Sequence, residues 1–304
     1  MTMKRAEMFT REASRALAKS PHAGIGESMA SVTEADLRGW VERLAVPRHF
    51  ELEQEENKNT ALWIAAQLQG WRCQVELQGP WWNVVALPKD LSEPVTLVCA
   101  HYDSVGGCPG ADDNASAVAA MLGCAKACAA IPRRPEVGFI SFNREEDGML
   151  GSQDFVRWLA SSSLRVNCVH VLEMVGYATD EPGSQRVPRG LPVSVSDKGN
   201  FLALLANRGS HRVLDTVLTR ASTYLPGFPV VGLRVTAGLE KFFPVLLRSD
   251  HAPFWQRRIP ATMWTDTSEF RNPFYHQPGD KPQTLNFKFL LSVTQLLIAS
   301  VLSP

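Results

Sequence analysis

The sequence is short of several features that would assign it quickly. Of its 304 residues, 31 are Lys or Arg and 31 are Asp or Glu, so the formal net charge is zero. That balance leaves no excess of one sign for a nucleic-acid surface. No apolar run approaches the ~20 residues of a membrane span, so no membrane partner is expected. The N-terminal stretch MTMKRAEMFTREASRALAKSPHAGIG has charge but no continuous apolar core. It is not read as a secretory signal, and a cytoplasmic location is expected. There are six cysteines, and none forms a CxxC pair. This excludes the familiar thiolate zinc and redox motifs, and all six are expected to be free. There is no internal repeat, low-complexity tract or linker, and one catalytic domain over 30–304 is expected behind a loose arm at 1–29.

What is present is an alternation of apolar strands and helices. SVTEADLRGWVERLA offers Thr33 as an N-cap and an apolar stripe of Leu37, Trp40, Val41 and Leu44. NTALWIAAQLQG repeats the helical pattern and stops at Gly70. WRCQVEL and WWNVVALP read as two strands, and VTLVCAH as a buried one. Residues 114–130 read as a helix, EVGFISFN as a strand, 148–160 as a helix, and VNCVHVLEMVGY as a strand. The segment 178–189 reads as a loop. Short helices are expected at 201–207 and 212–221, and strands at PVVGLRV and IPATMWTDT. The tail from TLNFKFLL reads as a helix capped near Thr284. Such alternation predicts an α/β domain whose sheet is covered on both faces.

The polar residues gather where these strands stop. VTLVCA ends in His101, Tyr102 and Asp103, and its loop runs on to Asp112 and Asp113 just before a helix. EVGFISFN is followed by Glu145 and Glu146, VNCVHVL by Glu173, and a late loop carries Tyr275 and His276. In open α/β sheets ligands collect outside the carboxyl ends of strands. Taken singly, each has an ordinary explanation: a hydrogen-bonded strand-end His, an Asp that caps a helix, a solvated Glu pair. Taken together, carboxylates converging in a low dielectric need a cation between them, and imidazole with carboxylate is a donor mixture suited to zinc. The remaining histidines considered, His22, His49, His170 and His211, read as structural or surface residues.

The stretches AHYDS, PGADDNAS, NREEDGMLGS, LEMVGY, RSDHAPFW and FRNPFYHQPGD resemble the zinc exopeptidases of metallopeptidase family 28. That family includes co-catalytic aminopeptidases, the glutamate carboxypeptidase II type and the related glutaminyl cyclases. The resemblance runs over 95–285 with order and spacing intact. It implies a single domain with a mixed, mostly parallel sheet flanked by helices, two zinc ions, and a peptide or amino-acid amide substrate. Carried over by position, it implies that His101 ligates the first zinc and that Asp103 orients the His101 ring. Asp112 would bridge both ions, with a cis peptide between Asp112 and Asp113. Glu146 and His276 would hold the second zinc, Glu145 would be the general base, and Tyr275 would hydrogen-bond the developing oxyanion. Glu173 stands where the aminopeptidases most often have Asp, with Asp180 as an alternative ligand.

The activity implied is hydrolysis of an amide bond at a chain end, most simply by an aminopeptidase. The rivals are a one-zinc glutaminyl cyclase, a carboxypeptidase or dipeptidase using Arg248 or Arg271 for a substrate carboxylate, and a binding module without catalysis. Trp264, Phe254, Phe274 and Met174 are candidate pocket walls, and 178–250 is expected to shape the entrance.

Overall fold

The computed structural model describes residues 9–71, 73–89, 91–131, 136–236 and 238–302. In chain order the strands are β1 (Phe9–Glu12), β2 (Gln74–Gln78), β3 (Asn83–Leu87), β4 (Val95–His101), β5 (Val137–Phe142), β6 (Val166–Glu173), β7 (Leu202–Ala206), β8 (Val230–Arg234) and β9 (Ala261–Thr265). The helices are α1 (Ala23–Ala30), α2 (Glu34–Leu44), α3 (Gln54–Gly70), α4 (Ala117–Ala129), α5 (Leu150–Leu159), α6 (His211–Tyr224), α7 (His251–Gln256) and α8 (Phe287–Leu302). The strands form one nine-stranded mixed sheet in the order β1-β8-β7-β9-β6-β4-β5-β3-β2.

The centre of that sheet positions the site. β4 pairs parallel with both β5 and β6, and β6 pairs parallel with β9. Four neighbouring strands therefore end at the same edge: His101 lies opposite Phe142, and Glu173 opposite Thr265. Side-chain alternation on β4 sends Val98 and Ala100 into one core, and Val95, Leu97 and Cys99 into the other. The first core is closed by α1, α2, α3, α4, α6 and α8, and the second by α5 and α7. Helices thus cover both faces, as the apolar strands require.

Several local expectations hold. Thr33 caps α2 and Asp36 completes a reciprocal capping box, a device worth about 1 kcal/mol. Helix α3 ends at Gly70. All six cysteines are free and buried. Among the described residues no helix is long and apolar enough to cross a membrane.

Three expectations are corrected. Residues 201–207, read as a helix from their Leu and Ala content, contain β7, which is held between β8 and β9; pairing on both sides outweighs helix propensity. The segment 1–29 is not wholly a loose arm: β1 pairs antiparallel with β8, and α1 packs Ile25 and Met29 into the first core. Helix α8 starts after Asn286 rather than near Thr284, with the Asn286 side chain accepting from the Phe289 amide at 3.0 Å.

Candidate metal centre

His101 ends β4 and is almost fully buried. Its Nε2 lies 3.4 Å from Asp113 Oδ1 and 3.4 Å from Glu173 Oε2. His276 approaches from the opposite side, with Nε2 3.2 Å from Asp113 Oδ2 and 3.3 Å from Glu146 Oε2. Two trios result, His101–Asp113–Glu173 and Asp113–Glu146–His276, and within each the donor atoms lie within 4.8 Å of one another. The two oxygens of Asp113 are divided between them.

These distances suit a metal better than hydrogen bonds. Neither ring nitrogen of His101 has a hydrogen-bond partner among the described residues, and the buried Glu146 Oε1 has none either. Ligands about 2.0–2.1 Å from a tetrahedral zinc stand about 3.3–3.4 Å apart, so the observed nitrogen–oxygen separations fit such an ion. The charge balance agrees. Burial and the neighbouring Asp113 carboxylate push the Glu146 carboxyl up to about 7, and burial pushes Glu145 well above the ordinary carboxylate range. Burial alone would lower His276, but its contacts with Asp113 and Glu146 lift it to about 10. Protons here do what a cation would do in their place.

Asp113 occupies the position expected for Asp112. The turn Ala111–Ser116 is kinked at Asp113 and Asn114, so consecutive side chains leave it in different directions. Asp112 faces inward, where its carboxylate accepts from Gly176 N at 2.9 Å, Ser116 Oγ at 3.2 Å and Asn272 Nδ2 at 2.7 Å. Those bonds commit its oxygens to the fold and leave Asp113 to face both histidines. The cis peptide is likewise one residue later than expected, between Asp113 and Asn114.

Two carboxylates hold the backbone of the converging segments. Asp103 accepts from the amides of Glu145 and Glu146, each at 3.2 Å, and its Oδ1 lies 3.4 Å from His101 Nδ1. Asp280, which closes the stretch FRNPFYHQPGD, accepts from the amides of Asp112 and Asp113 at 2.9 and 3.0 Å. Asp280 was visible in the sequence only as the last letter of a motif. Glu173 Oε2 also accepts from Ser249 Oγ at 2.7 Å, so the longer acid is held in place. Asp180 is outside the cluster, bonded to Asn200 on the surface.

The ring of Tyr275 stacks on His276 with centroids 3.7 Å apart, and its hydroxyl accepts from Arg248 Nη2 at 2.9 Å. Arg248 also bonds Glu269. Arg271 is buried and donates to Gln185 Oε1, Tyr177 O and Phe201 O. It is a structural residue rather than a substrate contact.

Beside the cluster lies a cavity of about 170 Å³, whose walls include Val193, Phe201, Leu205, Val245 and Met263. Glu145, Glu146, Glu173, Asp113, His276 and Tyr275 stand at its polar end. The four expected walls are not among its lining residues. Met263 and Trp264 show why: they are neighbours on β9, so one faces the cavity and the other enters the first core.

Comparison with known proteins bears on this geometry. The sequence pattern described as peptidase family M28 matches residues 83–208. The uncharacterised protein YfbL of Escherichia coli K12 is 32% identical over 232 residues, which cover 72% of this chain and 70% of YfbL. Aminopeptidase YwaD of Bacillus subtilis is 28% identical over 226 residues, covering 72% of this chain and 44% of YwaD. This chain therefore spans less than half the length of that aminopeptidase. The crystal structure of Legionella pneumophila LapA aminopeptidase aligns with a TM-score of 0.74 over 94% of this chain and 75% of LapA. At 19% identity that likeness is one of fold.

Proposed function

We infer that this chain, which belongs to peptidase family M28, is a zinc-dependent aminopeptidase that releases N-terminal residues with large apolar side chains. The observation that carries this reading is the apolar cavity opening directly onto the two trios that share Asp113. A cavity of about 150 Å³ can take a benzene-sized group, so one of about 170 Å³ suits a single Leu, Met or Phe side chain. Arg248 is already engaged by Glu269 and Tyr275. It therefore offers no free cation for a substrate carboxylate, which favours cleavage at the amino end over the carboxyl end.

His101, Asp113 and Glu173 would hold one zinc, and Asp113, Glu146 and His276 a second. When bound, such a pair acidifies a water and draws charge from the scissile carbonyl. Glu145 is the general base: it takes a proton from the attacking water and returns it to the leaving amine. Arg248 donates into the Tyr275 hydroxyl, so the phenol proton is free to point at the oxyanion that develops on the carbonyl. Burial and the nearby Asp113 carboxylate hold the Tyr275 phenol well above its ordinary value, which keeps that proton in place.

A panel of amino-acid p-nitroanilides tests the reading. Leu, Met and Phe substrates with a free amine should be cleaved at least about tenfold better than Ala, by the usual worth of filling an apolar pocket. N-acetylated versions should not be cleaved, a chelator should abolish turnover, and zinc should restore it. Equal cleavage of blocked substrates, or full activity in chelator, would overturn it.

A further inference from the structure

The segment 102–112 joins His101 to Asp113 and so sets the distance between two proposed ligands. It is gripped by a residue from outside the strand-end motifs. Arg48, just after α2, is completely buried. Its Nε donates to Tyr102 O at 2.6 Å, its Nη1 to Pro109 O at 2.5 Å and Val46 O at 3.0 Å, and its Nη2 to Gly110 O at 3.0 Å. Its amide donates to Ser104 Oγ at 3.1 Å, and Ser104 Oγ donates to Cys108 O at 3.0 Å. One guanidinium thus ties both ends of the segment together.

The Arg48 side chain's partners are all main-chain carbonyls. A buried charge bonded to no carboxylate is costly; burial lowers the Arg48 guanidinium from its ordinary value, and the nearby Asp103, Asp113, Asp280 and Glu146 offset part of that. The fixed fork of five donors is what reaches carbonyls on both sides of a loop, and a Lys ammonium, a single point of charge, cannot do so. Asp280 grips the same segment with the opposite polarity, accepting from the amides of Asp112 and Asp113. The residues just before Asp113 therefore lie between a donor fork and an acceptor carboxylate. Gly110 leaves no slack there: a Cβ on it would stand 2.2 Å from Asp113 O and 3.2 Å from Arg48 Nη1.

We propose that Arg48 is a positioning residue for the metal centre, whose guanidinium fork presets the separation of His101 and Asp113 before any ion binds. It touches neither substrate nor metal. The proposal rests on the zinc reading above.

The test compares wild type with Arg48→Lys and Arg48→Gln, measuring zinc affinity by chelator competition and the rise in melting temperature with zinc. Both variants should lose about 10–100-fold in zinc affinity, the usual effect of removing a group that supports ligands. Their turnover should recover in excess zinc. Arg48→Lys should resemble Arg48→Gln, because the fork rather than the charge does the positioning. Variants that bind zinc within twofold of wild type, or an Arg48→Lys that matches wild type, overturn the proposal. Wild-type protein that binds no zinc overturns the zinc reading too, and is distinguished in the wild-type arm. Amide hydrogen exchange on metal-free wild type needs no variant. The bonded amides at the two ends of the segment, Tyr102, Ala111, Asp112 and Asp113, should exchange as slowly as those of β4, and exchange of these amides near the unprotected rate overturns the proposal.

Discussion

The two halves of the cluster are built differently. The inner trio stands on the sheet: His101 and Glu173 end the adjacent parallel strands β4 and β6, and the His101 side chain is 1% exposed. The outer trio stands on loops: Glu146 follows β5, and His276, with positive φ, lies in an irregular segment and is 36% exposed. Strand ends are fixed by ladders on both sides, whereas a loop residue is fixed by the few contacts it makes. The difference teaches that the inner position is part of the folded core and the outer one is completed by a half-buried loop residue held by its stacking on Tyr275 and its contacts with Asp113 and Glu146. Asp113 is the single side chain both share.

The largest effect should come from breaking that shared residue. Asp113→Ala should reduce activity to the detection limit and leave neither ion bound, read by metal analysis after dialysis. Its neighbour provides the contrast. Asp112→Asn should keep both ions and lose stability by about 1–3 kcal/mol in urea melts, because it disturbs buried hydrogen bonds rather than ligands. If Asp112→Asn instead lost metal with stability intact, the two would have to be exchanged.

The neighbours Glu145 and Glu146 sharpen the comparison next. Glu145→Gln removes basicity without changing shape, so zinc content should hold while kcat falls about 10²–10⁴-fold and KM changes little. Glu146→Gln should weaken the outer ion, and added zinc should restore part of the rate. The reverse pattern of rescue would reverse their roles. The smallest effect belongs to the inner half: Glu173→Asp, measured the same way, should keep its ion and measurable activity. Complete loss would show that the added methylene is required.

Much of this was legible because strand ends are legible. An apolar run stopping at His101, Glu145–Glu146 or Glu173 marks both a buried strand and the edge where it delivers its polar residue. Within a motif, direction was not legible. DD announces two carboxylates, but which one faces the histidines depends on a kink at Asp113 and Asn114 that composition does not encode. The stretch 201–207 failed for another reason: Leu and Ala favour a helix, and only the partners on both sides make it β7. Arg48 was invisible because the carbonyls through which it grips the segment 102–112 lie far along the chain, and a main-chain carbonyl leaves no mark in a sequence. The cavity walls were missed because alternation on β9 decides between Met263 and Trp264, and hydrophobicity does not.

The central claim is that Asp113 stands between two zinc ions. Anomalous diffraction from zinc-loaded crystals, recorded on both sides of the zinc edge, tests it directly. Two peaks should flank the Asp113 carboxylate, one beside His101 and Glu173 and the other beside Glu146 and His276. A single peak, or peaks at Asp112 with Asp113 unligated, would contradict it.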